Sequence, residues 1–159
     1  MSIPENRIED LLKEIEARLQ LLESNLPASV DGWAVSEISK LPFKALSFRE
    51  SLIYRMAELG RGAFDSLADN KLVSAILLTR GAVETSAALW YLCAKVEAAV
   101  QSATVGDVDN YLMRLTMGSR TDADLPRAIK VSEFLQCVDK DIEGLGRHRD
   151  QRRQWRIAR

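Results

Sequence analysis

Arg80 and Glu84 are the residues of this 159-residue chain whose types and spacing come nearest to chemistry. They stand in Leu77-Leu78-Thr79-Arg80-Gly81-Ala82-Val83-Glu84-Thr85. Four positions apart on a helix, they share a face. Arginine before glutamate is the less favourable order for an isolated helix, so local helix energetics do not ask for the pair. Their neighbours are apolar, and burying either charge alone would cost on the order of several kcal/mol. Two readings follow: an internal ion pair that fixes helix register, or a polar pocket for an anionic ligand or substrate. Tyr91 projects from nearly the same face and would line such a pocket. Arg49 belongs beside them, because it falls between Leu46 and Ile53 in the apolar stripe of the preceding helix. Either it snorkels to the surface, or it meets Glu84 across the helix interface.

Little else in the chain has the makings of a reaction centre. His148 is the single histidine, and in Gly146-Arg147-His148-Arg149 it is flanked by cations that oppose its protonation. There is no HExxH, CxxC, G-x-S-x-G, Glu-x-x-His or glycine-rich phosphate loop. Cys93 and Cys137 lie in separate helical patterns and are expected to be reduced core thiols. No catalytic residue, metal site or cofactor is expected. Hydrophobic residues make up 47% and charged residues 28%, the balance of a soluble globular chain with a net charge of −1. The polar N-terminus has no signal-peptide h-region, and the uncharged run Thr85 to Ala94 is half of what a bilayer span needs. These features predict a cytoplasmic protein with no membrane partner.

The elements that must hold these residues are helices. Ser2-x-x-Glu5 reads as a capping box with Pro4 in the first turn. Ile8, Leu12, Ile15, Leu19, Leu22 and Leu26 then form a heptad seam, predicting a helix over about 2–26. Asn25, Pro27 and Asp31-Gly32 break it. Pro42 suits the start of a second helix from about Phe43 to Ala68, with Leu46, Ile53, Ala57, Phe64 and Leu67 on one stripe. Asn70 is expected to cap a third helix, Lys71 to Val100, that is apolar nearly all round and so belongs in the centre. A short helix near Val108 to Met117 ends at Gly118, and Asp124 with Pro126 opens a fifth that Gly144 and Gly146 close. Gly60 and Gly81, inside helices, point to close approach of two helix backbones. The expected fold is all-α, an antiparallel bundle of about five helices forming one domain over 1–146.

From residue 147 the composition changes. Residues 147–159 hold six arginines against one aspartate. Arg147, Arg149, Arg152, Arg153 and Arg156 could track phosphates or an anionic surface, with Trp155 stacking on a base; alternatively the tail has no dedicated partner.

The runs Leu41-Pro42-Phe43-Lys44-Ala45-Leu46, Arg55-Met56-Ala57-Glu58-Leu59 and Leu77 to Thr85 resemble a family of bacterial helical proteins distantly similar to HEPN domains. HEPN domains are helical bundles found as nucleic-acid-associated components of defence and toxin–antitoxin systems. The resemblance covers about residues 40 to 143 and implies a helical accessory or binding domain. HEPN ribonucleases carry an arginine, four to six residues, then a histidine; here the positions at that spacing before His148 are Glu143, Ile142 and Asp141. The ribonuclease motif is missing, so the resemblance also fits a degenerate relative. A structural module without a ligand site is the other reading, because the Ile8 to Leu26 seam offers apolar surface for a homodimer, widened by Leu11 and Leu21.

Overall fold

The computed structural model describes residues 5–31 and 38–141. The chain is all-α, a helical bundle, with five helices among the described residues: α1 (Glu5–Ser24), α2 (Lys40–Ala68), α3 (Leu72–Ser102), α4 (Val108–Thr116) and α5 (Val131–Asp141). Among the described residues there is no strand, only an isolated bridge between Ser119 and Arg127. Two compact units divide the chain, Met1–Thr85 and Ser86–Arg159, and α3 runs through the division. The expected capping box at Ser2, the closing glycines Gly144 and Gly146, His148 and the arginines Arg147, Arg149, Arg152, Arg153 and Arg156 lie outside the described residues.

In the first unit, the Ser39 side chain caps α2 by accepting from the Leu41 amide at 3.2 Å. Pro42 sits in the first turn, where its missing N–H costs no hydrogen bond. Asn70 does not open α3 as expected; it closes α2. Its φ of +58° is left-handed, its amide donates to the Leu67 carbonyl, and the Lys71 amide donates back to Ser66. That is a Schellman ending, and asparagine is among the few side chains that tolerate the conformation. The short turn folds α3 back antiparallel on α2. Leu59 packs 3.2 Å from where a Gly81 Cβ would stand, and Leu78 lies 3.3 Å from the same point at Gly62. Both pairs are centred on Asn70, which gives the hairpin its register.

α1 lies antiparallel on the same helix α2. Leu19 reaches into the notch at Gly60, 2.8 Å from the place of a Cβ, and the Tyr54 hydroxyl donates to the Pro27 carbonyl. The expected approach of helix backbones is thus an approach of leucine tips to glycines. The buried apolar residues described in this unit are few: Leu52, Ala57 and Ala75.

The second unit is better filled. Ala87, Ala88, Tyr91, Leu92, Val108, Leu112, Ile129 and Phe134 are buried, Leu112 down to 1%. Tyr91 meets Tyr111 edge-on at 6.2 Å and Phe134 at 5.3 Å between centroids. The fifth helix begins later than expected. Asp124 is not its cap and Pro126 is not in its first turn, because Ser119 and Asp122 draw that stretch into local turns. Ser119 Oγ accepts from the Thr121 and Asp122 amides, and Asp122 Oδ1 accepts from Asp124. The loop is then strapped to Ser119, whose amide donates to Pro126 and whose carbonyl accepts from Ala128. At α5 the Glu133 carboxylate accepts from the Lys130 amide at 3.3 Å, half of a capping box.

α3 is not the buried central helix its composition predicts. Leu72, Val73, Ile76, Leu77 and Val83 are 53–74% exposed. It is also the one described helix long and apolar enough to cross a membrane by length and composition, although it carries the Arg80 and Glu84 charges. The reason for its exposure is geometric: in the first unit its contacts with α2 run through the two glycine notches, which cover a narrow strip.

Two backbone positions make a paired stability test. Ala103 ends α3 in the left-handed region at φ +52°, within a second Schellman pair of bonds from Ala103 to Val100 and from Thr104 to Ala99. Glycine has no Cβ penalty there, so Ala103→Gly should raise stability by about 0.5–1 kcal/mol. A Cβ at Gly118 would collide with the Arg114 carbonyl and come within 2.6 Å of the Ala128 Cα. Gly118→Ala should therefore lose at least about 1–3 kcal/mol by overpacking. Urea unfolding followed by circular dichroism measures both, and loss of stability in Ala103→Gly would contradict the assignment.

Candidate interaction surface

Arg80 and Glu84 do pair, Nε to Oε1 at 2.9 Å along the helix, but not in the interior. Their side chains are 76% and 34% exposed, so the cost of burial that made the pair notable does not arise. An exposed i,i+4 pair contributes only about 0.3–0.5 kcal/mol. The polar side chain that is buried in this stretch is Thr85, whose hydroxyl donates to the Gly81 carbonyl at 2.8 Å.

Arg49 is half exposed and does not meet Glu84; it pairs with its neighbour Glu50. The inward position is Glu50, 7% exposed, which the sequence reading passed over. The signal was there: Glu50 stands four residues after Leu46, three before Ile53 and seven before Ala57, so it falls in the stripe as Arg49 does, on its other side. Tyr91 is likewise taken up elsewhere, buried against Tyr111 and Phe134. The Lys95 ammonium lies 5.2 Å from its ring centroid and 4.6 Å from that of Tyr111. Burial pushes the Tyr91 hydroxyl above its ordinary range, and Tyr111 adds to the shift. The expected quartet of Arg80, Glu84, Arg49 and Tyr91 is therefore a surface pair, a partly buried pair and a core tyrosine.

What the first unit does build is an open groove of about 450 Å³ between α1, α2 and the start of α3. Leu12, Ile15, Leu19, Phe64, Leu67 and Ile76 line it, and Thr79 is the one polar side chain along it. α1 contributes its heptad seam, yet the seam is not closed: Ile15 is 45% exposed, and beside it Ile8, Leu11 and Leu21 are 45–65% exposed. Groove and seam together are what heptad spacing leaves when one helix covers only part of it.

α1 is held beside the groove by charge. Arg61 of α2 binds Glu23 through both oxygens, Nε to Oε1 and Nη2 to Oε2, each at 2.8 Å. The hydrogen bonds from Arg61 hold the Glu23 carboxyl below its ordinary range, and Glu23 holds the guanidinium up in return. The chain matches no known protein-family model, no curated protein and no solved structure.

The two exchange pairs give distinguishable outcomes. A carboxyl depressed in the folded state stabilises at and above the ordinary carboxylate range, and the contribution disappears as pH falls through its folded value. Melting curves of wild type and Arg61→Gln should therefore differ at pH 7 and converge only as the pH falls below the ordinary carboxylate range; a constant gap down to pH 2 would contradict the bond. For the other pair, Arg49→Leu strands a buried carboxylate and should cost about 1–3 kcal/mol, whereas Glu50→Leu should be neutral or stabilising. Equal losses would mean that Glu50 is not buried as described.

Proposed function

We propose that this chain is a helical interaction module, a HEPN-like accessory or binding domain that works through an apolar surface, and that its occupant is a second copy of itself. The observation that carries the reading is the groove between α1, α2 and α3, apolar along its whole length apart from Thr79. Monomeric proteins seldom leave contiguous apolar patches above roughly 300–600 Å² open to water. Here Ile15, Leu67, Leu72 and Ile76 border one groove while 43–67% exposed, with Leu11, Val73 and Leu77 beside them on the same helices. That surface is also self-complementary. The first unit carries an apolar groove and, beside it on α1, a row of exposed aliphatic side chains at Ile8 and Leu11. Two copies related by a two-fold axis would each set the row of one against the groove of the other, so every contact is made twice.

The function does not need Arg80 and Glu84 as a reaction centre. The HEPN resemblance supports the accessory role, and the lack of an arginine–histidine spacing before His148 supports binding over nuclease chemistry.

Light scattering on the full chain tests the reading. Wild type should be a dimer at tens of micromolar, and Ile15→Asp and Ile76→Asp should each weaken association at least tenfold, since a carboxylate would have to be buried without a partner. Both variants should keep wild-type helicity by circular dichroism. A monomeric wild type, or a dimer indifferent to both substitutions, overturns the proposal. So does co-flotation of wild type with lipid vesicles that the two variants lose, because the occupant would then be a bilayer.

A further inference from the structure

We infer that the second unit carries an anion pocket for an oligophosphate group, at the strapped loop that leads into α5. A pocket of about 400 Å³ opens there, and Arg120, Arg127, Lys130 and Ser132 line it together with Ala128 and Val131. No carboxylate lines it. Three cations converge on one concavity in a chain whose net charge is −1. Among the described residues none of the three has an ion-pair partner, although Asp122 and Asp124 lie between Arg120 and Arg127 in sequence. Asp122 is turned to local work, its Oδ1 accepting from the Asp124 amide. Glu133 is the acidic group nearest in sequence to Lys130, and its Oε1 accepts from the Lys130 amide. Like charges brought together without counter-charges repel, and a concave site focuses their field on whatever anion enters it.

The backbone that carries the cations is fixed before any ligand arrives. Arg120 follows Ser119, which is bonded through both its amide and its carbonyl to the returning strand of the loop. The Arg127 carbonyl accepts from Arg114 Nε at 3.0 Å, which brings a third guanidinium to the rim of the loop. Between Arg127 and Lys130, Ile129 is 6% exposed and anchors the segment in the core. Gly118 permits the close passage on which the loop depends, with the Ala128 Cα 2.6 Å from where a Cβ would stand. A binding loop ordered in advance loses less entropy on association. Two guanidinium forks, an ammonium and the Ser132 hydroxyl line the pocket together. They suit a group with several charges and tetrahedrally arranged oxygens better than a single planar carboxylate.

Pyrophosphate is the probe, added to the full-length protein at low salt and followed by isothermal titration calorimetry. Wild type should bind one equivalent, and binding should weaken as salt rises. Arg127→Gln and Lys130→Gln should each lower affinity about tenfold, and the triple variant with Arg120→Gln should abolish binding at millimolar probe. Lys40→Gln, at an exposed cation of α2, should leave it unchanged. The arginine-rich end of the chain is controlled by Arg152→Gln/Arg153→Gln/Arg156→Gln, which should retain the one-equivalent isotherm. ADP in place of pyrophosphate separates two sources of the same chemistry: equal affinity assigns the pocket to free oligophosphate, tighter binding to the phosphate end of a nucleotide. A wild type that does not bind pyrophosphate overturns the assignment. So does a folded pocket triple variant that binds as well as wild type, which would give the binding to residues 147–159.

Discussion

The first unit is organised by leucines seated on glycines. Leu59 on Gly81 and Leu78 on Gly62 fix how near α2 and α3 come, and Leu19 on Gly60 does the same for α1. A glycine in a helix interior costs about 1 kcal/mol relative to alanine, so three such positions need a return. The return is a set of close contacts that hold three helices with few large side chains between them. The same economy has a consequence for the outside. Helices that meet through notches bury a narrow strip each, and the remaining aliphatic residues of α1 and α3 are left facing outward. The groove and the exposed face are the complement of the way the unit packs.

The second unit solves the same problem in the opposite manner. Its helices α4 and α5 are short, with nine and eleven residues, and short helices are marginal without tertiary packing. Stability must come from large side chains brought together, and Tyr91, Tyr111 and Phe134 supply them, with Lys95 laid over the two tyrosine rings. The loop between α4 and α5 satisfies its own backbone through Ser119 and Asp122, which leaves its cations available. One unit thus presents an apolar groove and the other a pocket lined by Arg120, Arg127 and Lys130, on a chain that is nearly neutral as a whole.

Helix type and number were legible because the apolar spacing in this chain is regular: the α2 stripe and the α1 heptads read directly as helices. Ends were less legible where two residues competed for a role. Asn70 is as good a helix starter as it is a left-handed terminator, and only the bonds from Asn70 to Leu67 and Lys71 to Ser66 decide between them. Asp124 and Pro126 look like a helix opening, yet Ser119, seven residues before Pro126, captures that stretch through the backbone. At the candidate site the stripe position of Arg49 leaves open both snorkelling and contact with Glu84, and its half-exposed side chain takes the first course while Glu50 turns inward. Burial of Arg80 and Glu84 is an assumption drawn from the apolar helix around them.

That assumption separates hydrophobicity from burial. An apolar helix states a demand for cover, and it does not say whether the chain itself meets it. In α3 the demand is met by Ala87, Ala88, Tyr91 and Leu92 in the second unit, and left open at Leu72, Val73, Ile76 and Leu77 in the first. The charges mark the same division. Arg80 and Glu84 occur in the part of the helix whose outer face is open, where an ion pair is hydrated at little cost, and the run from Thr85 to Ala94 carries no charge. A helix designed only to be covered by its own chain would not need a hydrated pair at its middle. On the proposed reading, in which a second copy covers this face, the pair can stay hydrated only if it lies at the rim of the covered surface.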